Sequence, residues 1–136
     1  RPQARALAKE ERALAGDREE RAFSAALRNL EFYLQAGAND NYGRGARLLS
    51  SFYVNEKHAI RETRRTYRKH EELLAAFRSI SSDVYGYEFG SSRHGATVTF
   101  EGGIETVGGM TAEFAARMVY RRDTWLITSL VIDRVR

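Results

Sequence analysis

The spacing of apolar residues along this chain changes character near Phe77. Upstream they recur every three or four positions, and downstream every second one. Phe23, Leu27, Leu30 and Leu34 put one apolar stripe on a helix of about five turns, with Arg28 and Glu31 on its opposite face. Gly16 followed by Asp17 and Glu20 predicts that this helix starts at Asp17, where an N-cap carboxylate and a third-position glutamate satisfy free backbone donors. Residues 1–16 then form a separate helical extension whose apolar stripe, Leu7 and Leu14, is too thin to dock without a partner. The stretch from Ala36 to Asn41 ends the helix at a glycine and supplies Asn or Asp caps for a short helix through Tyr42, Ala46 and Leu49. Phe52-Tyr53-Val54 has β-favouring side chains and reads as a short strand. Asn55 caps a third helix from about Glu56 into the mid-70s. Ile60, Thr63, Tyr67, His70 and Leu74 share its apolar side, while Lys57, Arg61, Arg64, Arg65 and Arg68 share another.

Beyond Phe77 the alternating sets are Asp83, Tyr85, Tyr87 and Phe89, then Ala96, Val98 and Phe100, with a turn-rich Gly90 to Gly95 between them. Ala112, Phe114, Ala116, Met118 and Tyr120 line one face of a long strand, and Arg122-Asp123 forms a tight hairpin into a strand from Thr124 to Val135. In that last strand Trp125, Ile127 and Val131 alternate with Leu126, Leu130 and Ile132. Apolar residues on both faces call for cover on both faces, from helices on one side and from a pocket wall or a second subunit on the other. Gly102-Gly103 and Gly108-Gly109 read as loop ends bounding a flap from Ile104 to Val107. The pattern is one α+β domain over residues 17–136.

Composition narrows the chemistry. With 136 residues, 43% of them apolar, the chain is long enough to bury a core. The absence of cysteine excludes disulfides, thiolate zinc sites and cysteine nucleophiles, and leaves the compartment open between cytoplasm and an exported or envelope location. No apolar run is long enough for a membrane span. Residues 1–73 carry 15 Lys/Arg against 11 Asp/Glu and residues 74–136 carry 7 against 7, so the net charge of +4 lies in the helical half.

The order of elements, closing in Trp125-Leu126-Ile127-Thr128-Ser129-Leu130 and Val131-Ile132-Asp133, resembles the nuclear transport factor 2-like superfamily, also called SnoaL-like or ketosteroid isomerase-like. The resemblance covers about residues 20–135. It implies a cone-shaped roll, N-terminal helices packed in a strongly curved antiparallel sheet, with a pocket at the open end and a convex face that often pairs two subunits. Functions in that superfamily run from isomerases and dehydratases to scaffolds, so the fold selects none of them.

Isomerase chemistry of that kind needs an inward carboxylate base beside a phenol. Tyr33 can supply the phenol, but Glu101 and Glu113 fall on the face opposite Phe100 and Phe114 and point outward, so the base is missing and no catalytic residue is assigned. His70, beside Tyr67, is placed to act as an acid or base near neutral pH, as in the dehydratase branch; the alternative is a half-buried histidine bonded to a neighbour. His58, His70 and His94 are too scattered for a metal site, and no cofactor motif is present. Tyr33, Tyr53, Tyr67 and His70 are the candidate lining of a pocket for a small apolar or amphipathic ligand. Lys57, Arg61, Arg64, Arg65 and Arg68 are the candidate anion-binding face, with nucleic acid disfavoured because no aromatic is interleaved for base stacking. The leading expectation is a non-catalytic interaction or scaffold module, homodimeric through the sheet face, with a further protein partner.

Overall fold

A computed structural model describes the backbone of residues 2–81 and 86–135, and the side chains of residues 16–81 and 86–133. Asp83 and Tyr85 lie outside the described residues, as do the side chains of Leu7 and Leu14. The fold is α+β: N-terminal helices followed by a curved antiparallel sheet of five strands in a cone-like roll.

Helix α1 runs unbroken over Pro2–Ala38, so the expected start at Asp17 is not there. An isolated glycine costs a helix only about 1 kcal/mol relative to alanine, too little to outweigh the good helix formers on both sides of Gly16. At 1.5 Å per residue the helix is about 55 Å long. Gly16 to Arg21 are exposed, and burial begins with the half-buried Ala22 and Phe23. At its C-terminal end Asn41 N–H donates to Ala36 O (2.8 Å) and Asp40 N–H to Gly37 O (3.1 Å). This is a Schellman closure, with Asp40 (φ 57°) rather than a glycine in the left-handed position. Asn41 then caps α2 (Tyr42–Ala46) through its side-chain oxygen, which accepts from Arg44 N–H.

Ser50–Tyr53 is a 3₁₀ turn, not the expected strand. The backbone just before it does meet the sheet, because Leu49 forms a parallel bridge to Ile127, and Ile127 N–H donates to Leu48 O at 2.7 Å. Asn55 caps α3 (Glu56–Lys69) as expected, but His70 ends that helix and α4 (Glu71–Ala75) begins anew.

The strands are β1 (Phe77–Ile80), β2 (Tyr87–Ser92), β3 (Gly95–Thr106), β4 (Thr111–Arg121) and β5 (Thr124–Val135). The order is β1-β3-β4-β5, with β2 also paired to β3. Gly90 to Ser92 belong to β2, which tightens the turn to Arg93-His94. Gly102 to Thr106 belong to β3, so there is no flap from Ile104; Ile104 is buried in the core. The turn at Arg122-Asp123 is as read, with both residues at positive φ (53° and 61°), the geometry that matches strand twist.

Inward positions of the strands, among them Val98, Phe100, Ile104, Phe114, Met118, Trp125, Ile127 and Ile132, join Leu30, Leu34 and Leu74 in one core. Edge-on aromatic contacts run through it: Phe23 to Phe100 (5.1 Å), Phe100 to Phe114 (5.8 Å) and Phe89 to Trp125 (6.1 Å). The second face of β5 is resolved in two parts. Leu126, opposite Val119, is 1% exposed but stands outside the main core, at the end of β5 flanked by Leu48–Val54. Thr128 then bulges out of register, and past it Val131 is 53% exposed. The bulge thus reverses the expected sets beyond it, with Ile132 joining Trp125 and Ile127 in the core and Val131 outside, and of the second face only the Leu126 end is covered by the chain itself.

Candidate functional site

The four candidate pocket residues lie in three places. Tyr33 (α1) and Tyr67 (α3) are both buried, with ring centroids 5.1 Å apart. The Tyr67 hydroxyl donates to Tyr33 O, so this phenol serves the backbone of α1. Its placement depends on two glycines. A Cβ on Gly45 would lie 2.0 Å from the Tyr67 hydroxyl, and one on Gly37 would lie 2.9 Å from the same ring. Tyr67 is therefore a wedge between α1 and α2, with Tyr42 beside it at 6.1 Å. Burial pushes the pKa of Tyr67 far above the phenol range, and Tyr33 beside it adds to the shift. Tyr33 is also raised, mainly by burial, against a smaller opposing effect of Thr63 and Thr66. Thr66 Oγ1 donates to Glu62 O at 3.0 Å, and buried Thr63 Oγ1 is left without a well-formed hydrogen bond.

Tyr53 lies on the 3₁₀ turn, 42% exposed, with the Arg122 guanidinium 4.4 Å from its ring centroid. His70, between α3 and α4, borders a shallow cleft with Arg68, Lys69 and Glu71. Its pKa is lowered by burial first and by Lys69 second, while Asp133 raises it. Glu101 and Glu113 are exposed on the outer face of the sheet, as read. No group of three His, Cys, Asp or Glu among the described residues is placed to hold a metal ion.

Lys57, Arg61, Arg64, Arg65 and Arg68 are all exposed along α3. None has a carboxylate within 4 Å among the described residues; the nearby ion pair is His58 to Glu62 at 3.6 Å. Arg64 instead lies over the Tyr42 ring at 5.2 Å, which anchors the basic face to the aromatic cluster around Tyr67.

Two open clefts were not foreseen. One, about 520 Å³, lies between α1 and the β4–β5 hairpin, bordered by Arg21, Arg28, Tyr120 and Trp125. Asn29 spans it, donating to Thr124 Oγ1 (3.1 Å) and Trp125 O (2.9 Å) and so tying the hairpin to the helix. The other, about 560 Å³, is a groove on the outer face of the sheet, bounded by Ser50, Ser51 and Val54 on one side and by Arg117, Val119 and Arg121 on the other. Thr97, Ser92, His94, Thr128 and Ser129 complete it, and no carboxylate lines it. The outward alternation Arg117, Val119, Arg121 was visible in the sequence; its meeting with Ser50 and Ser51 was not, because these residues are far apart along the chain. No protein-family model matches this chain, and no curated protein matches it.

Proposed function

We propose that the chain is a non-catalytic cone-fold interaction or scaffold module of the nuclear transport factor 2-like kind. The observation that supports this most is the wedge of Tyr67 between Gly37 and Gly45, with its hydroxyl spent on Tyr33 O: the helices close upon side chains where an in-cone enzyme needs open volume and a free phenol. The outer side carries cations and hydroxyls without partners among the described residues, which suits recognition from outside. Native protein should leave the fluorescence of an uncharged apolar dye such as Nile red unchanged. Saturable native-state binding, lost on Tyr67→Trp, would place a hollow pocket in the cone and overturn the proposal.

Self-association through the outer sheet face belongs to this reading. Val131, 53% exposed, pairs across the ladder with half-buried Ala115 and forms an apolar spot there. Glu101, Glu113 and Asp133 border the adjoining cleft, so two copies meeting at Val131 would bring carboxylates together and associate more strongly as salt is added. Sedimentation velocity over a range of concentration and salt tests this. A monomer throughout removes self-association from the reading.

A second reading is supported by α3, on which Lys57, Arg61, Arg64, Arg65 and Arg68 are exposed and lack carboxylate partners among the described residues. It gives an acidic protein or membrane surface as partner, with binding that falls as salt rises. Charge reversal at Arg61 and Arg65 together should abolish retention on an anionic resin at moderate salt, and unchanged retention would remove this reading.

A further inference from the structure

We infer that the outer groove between the 3₁₀ turn and β4 is a binding site for a small organic oxyanion, a phosphate ester or a carboxylate, whose body rests on Val54 and Val119. This is independent of the closed interior and of the basic face of α3.

The first support is Thr97. It is 6% exposed, stands on the outer face opposite Val119, lines the groove, and its hydroxyl makes no hydrogen bond among the described residues. The residue is nearly buried, yet its hydroxyl oxygen keeps some exposure toward the groove and is free to bond a ligand there. The residue across the ladder is Gly90, where a Cβ would sit 3.1 Å from Thr97 Oγ1, so a side chain there would crowd this hydroxyl. The second support is charge. Arg117 and Arg121 flank Val119 on the same face of β4, roughly 13 Å apart along the strand at the usual rise. Neither has a carboxylate within 4 Å among the described residues. Guanidinium groups match the planar geometry of carboxylates and phosphates, and neutral hydroxyls add donors without adding repulsion. The third is the set of donors left over. Thr128 Oγ1 is engaged with Arg117 O (2.9 Å) and Ser92 Oγ with Gly95 O (3.1 Å), whereas Ser50, Ser51 and Ser129 keep free hydroxyls. Thr128 is the bulged residue of β5, and its bond to Arg117 O holds the backbone from which that arginine projects.

The test is an amide chemical-shift titration of the full chain with inorganic phosphate, and separately with succinate, at constant ionic strength. Saturable shifts confined to Ser92, Thr97, Arg117 to Arg121 and Thr128-Ser129 are expected with at least one of the two, and the tighter one names the ligand's anionic group. Arg117→Gln and Arg121→Gln should each weaken binding about tenfold, the scale of one lost charge-assisted contact. Thr97→Val should weaken it severalfold while leaving the melting temperature unchanged or higher, since no intramolecular bond is lost. Arg61→Gln on α3 should leave affinity unchanged. Shifts that fail to saturate with both probes, shifts that map to α3, or affinity indifferent to Arg117→Gln would overturn the inference. So would an affinity that falls as protein concentration rises, because the groove would then be filled by carboxylates of a second copy.

Discussion

The two faces of the sheet share the same strands yet solve opposite problems. On the inner face each strand presents aliphatic or aromatic groups to the helices, and the Tyr67 hydroxyl beneath is matched by Tyr33 O, with buried Thr63 Oγ1 the exception. On the outer face the same strands present Thr97, Glu101, Glu113, Arg117 and Arg121, and several of these groups have no partner among the described residues. An apolar interior contributes stability, whereas unmatched polar groups at the surface are free to recognise something else.

The sharpest way to break this contrast is at the wedge. Tyr67→Ala should cost about 4 kcal/mol in urea unfolding, the scale of a large aromatic removed from a core that does not collapse to fill it. Gly45→Ala forces a Cβ toward the Tyr67 hydroxyl and should cost about 3 kcal/mol by overpacking. If Tyr67→Phe is combined with it, the pair should be less damaging than the sum of the two singles, since the clash is with the hydroxyl itself; strict additivity would show that the wedge is not what holds α2.

Alkaline pH probes the same region. Tyr33 and Tyr67 have pKa values raised above the ordinary 10.0, so the folded chain holds their protons more tightly than the unfolded one. Their contribution is complete below pH 10 and is lost as pH rises beyond it. Tyrosinate absorbance of the buried pair should rise only together with the loss of helical circular dichroism. His70 gives the acid counterpart: its lowered pKa means the unfolded chain takes up the proton first, so stability is full above pH 6.5 and declines as pH falls below it. His70→Gln should flatten that decline.

At the seam between the faces, Asn29→Ala removes both ties from α1 to the hairpin and should cost about 1.5 kcal/mol, since Trp125 O is left to compete for solvent. The smallest effects belong outside. Val131→Ser and Arg117→Gln should each change folding stability by less than about 0.5 kcal/mol, as for surface substitutions generally. A large loss at either would mean the outer face is structural, and the contrast between the faces would fail.

Much of the architecture was legible residue by residue. The cap at Asn55, the two-residue turn at Arg122-Asp123 and the inward set on β4 follow from local chemistry that acts over a few positions. Where reading failed, an effect from a distance had overridden a local preference. Gly16 was outweighed by its helical neighbours. Phe52-Tyr53-Val54, β-favouring by composition, follows Leu49, whose bridge to Ile127 takes the place beside β5 and leaves the next residues to turn. The helix does end within the stretch from Ala36 to Asn41, but that Gly37 there leaves room for the Tyr67 ring was not legible.

The candidate site divides in the same way. That Lys57, Arg61, Arg64, Arg65 and Arg68 share a helix surface follows from a 100° step per residue and needs no tertiary information. Whether Tyr33 and Tyr67 line a cavity or fill it depends on how closely α1, α2 and α3 approach, a distance carried by Gly37 and Gly45 and invisible to periodicity. By itself the sequence determined the period of each segment, the caps and turns that bound it, and the sign of charge on each face, because these are set by neighbours within one helical turn or one strand pleat. Only the tertiary structure decided which side of β5 would be covered, that a phenol would close the helices together, and that Ser50 and Ser51 would stand across a groove from Arg117 and Arg121. Burial and proximity are properties of packed surfaces, and a single segment carries no record of what will lie against it.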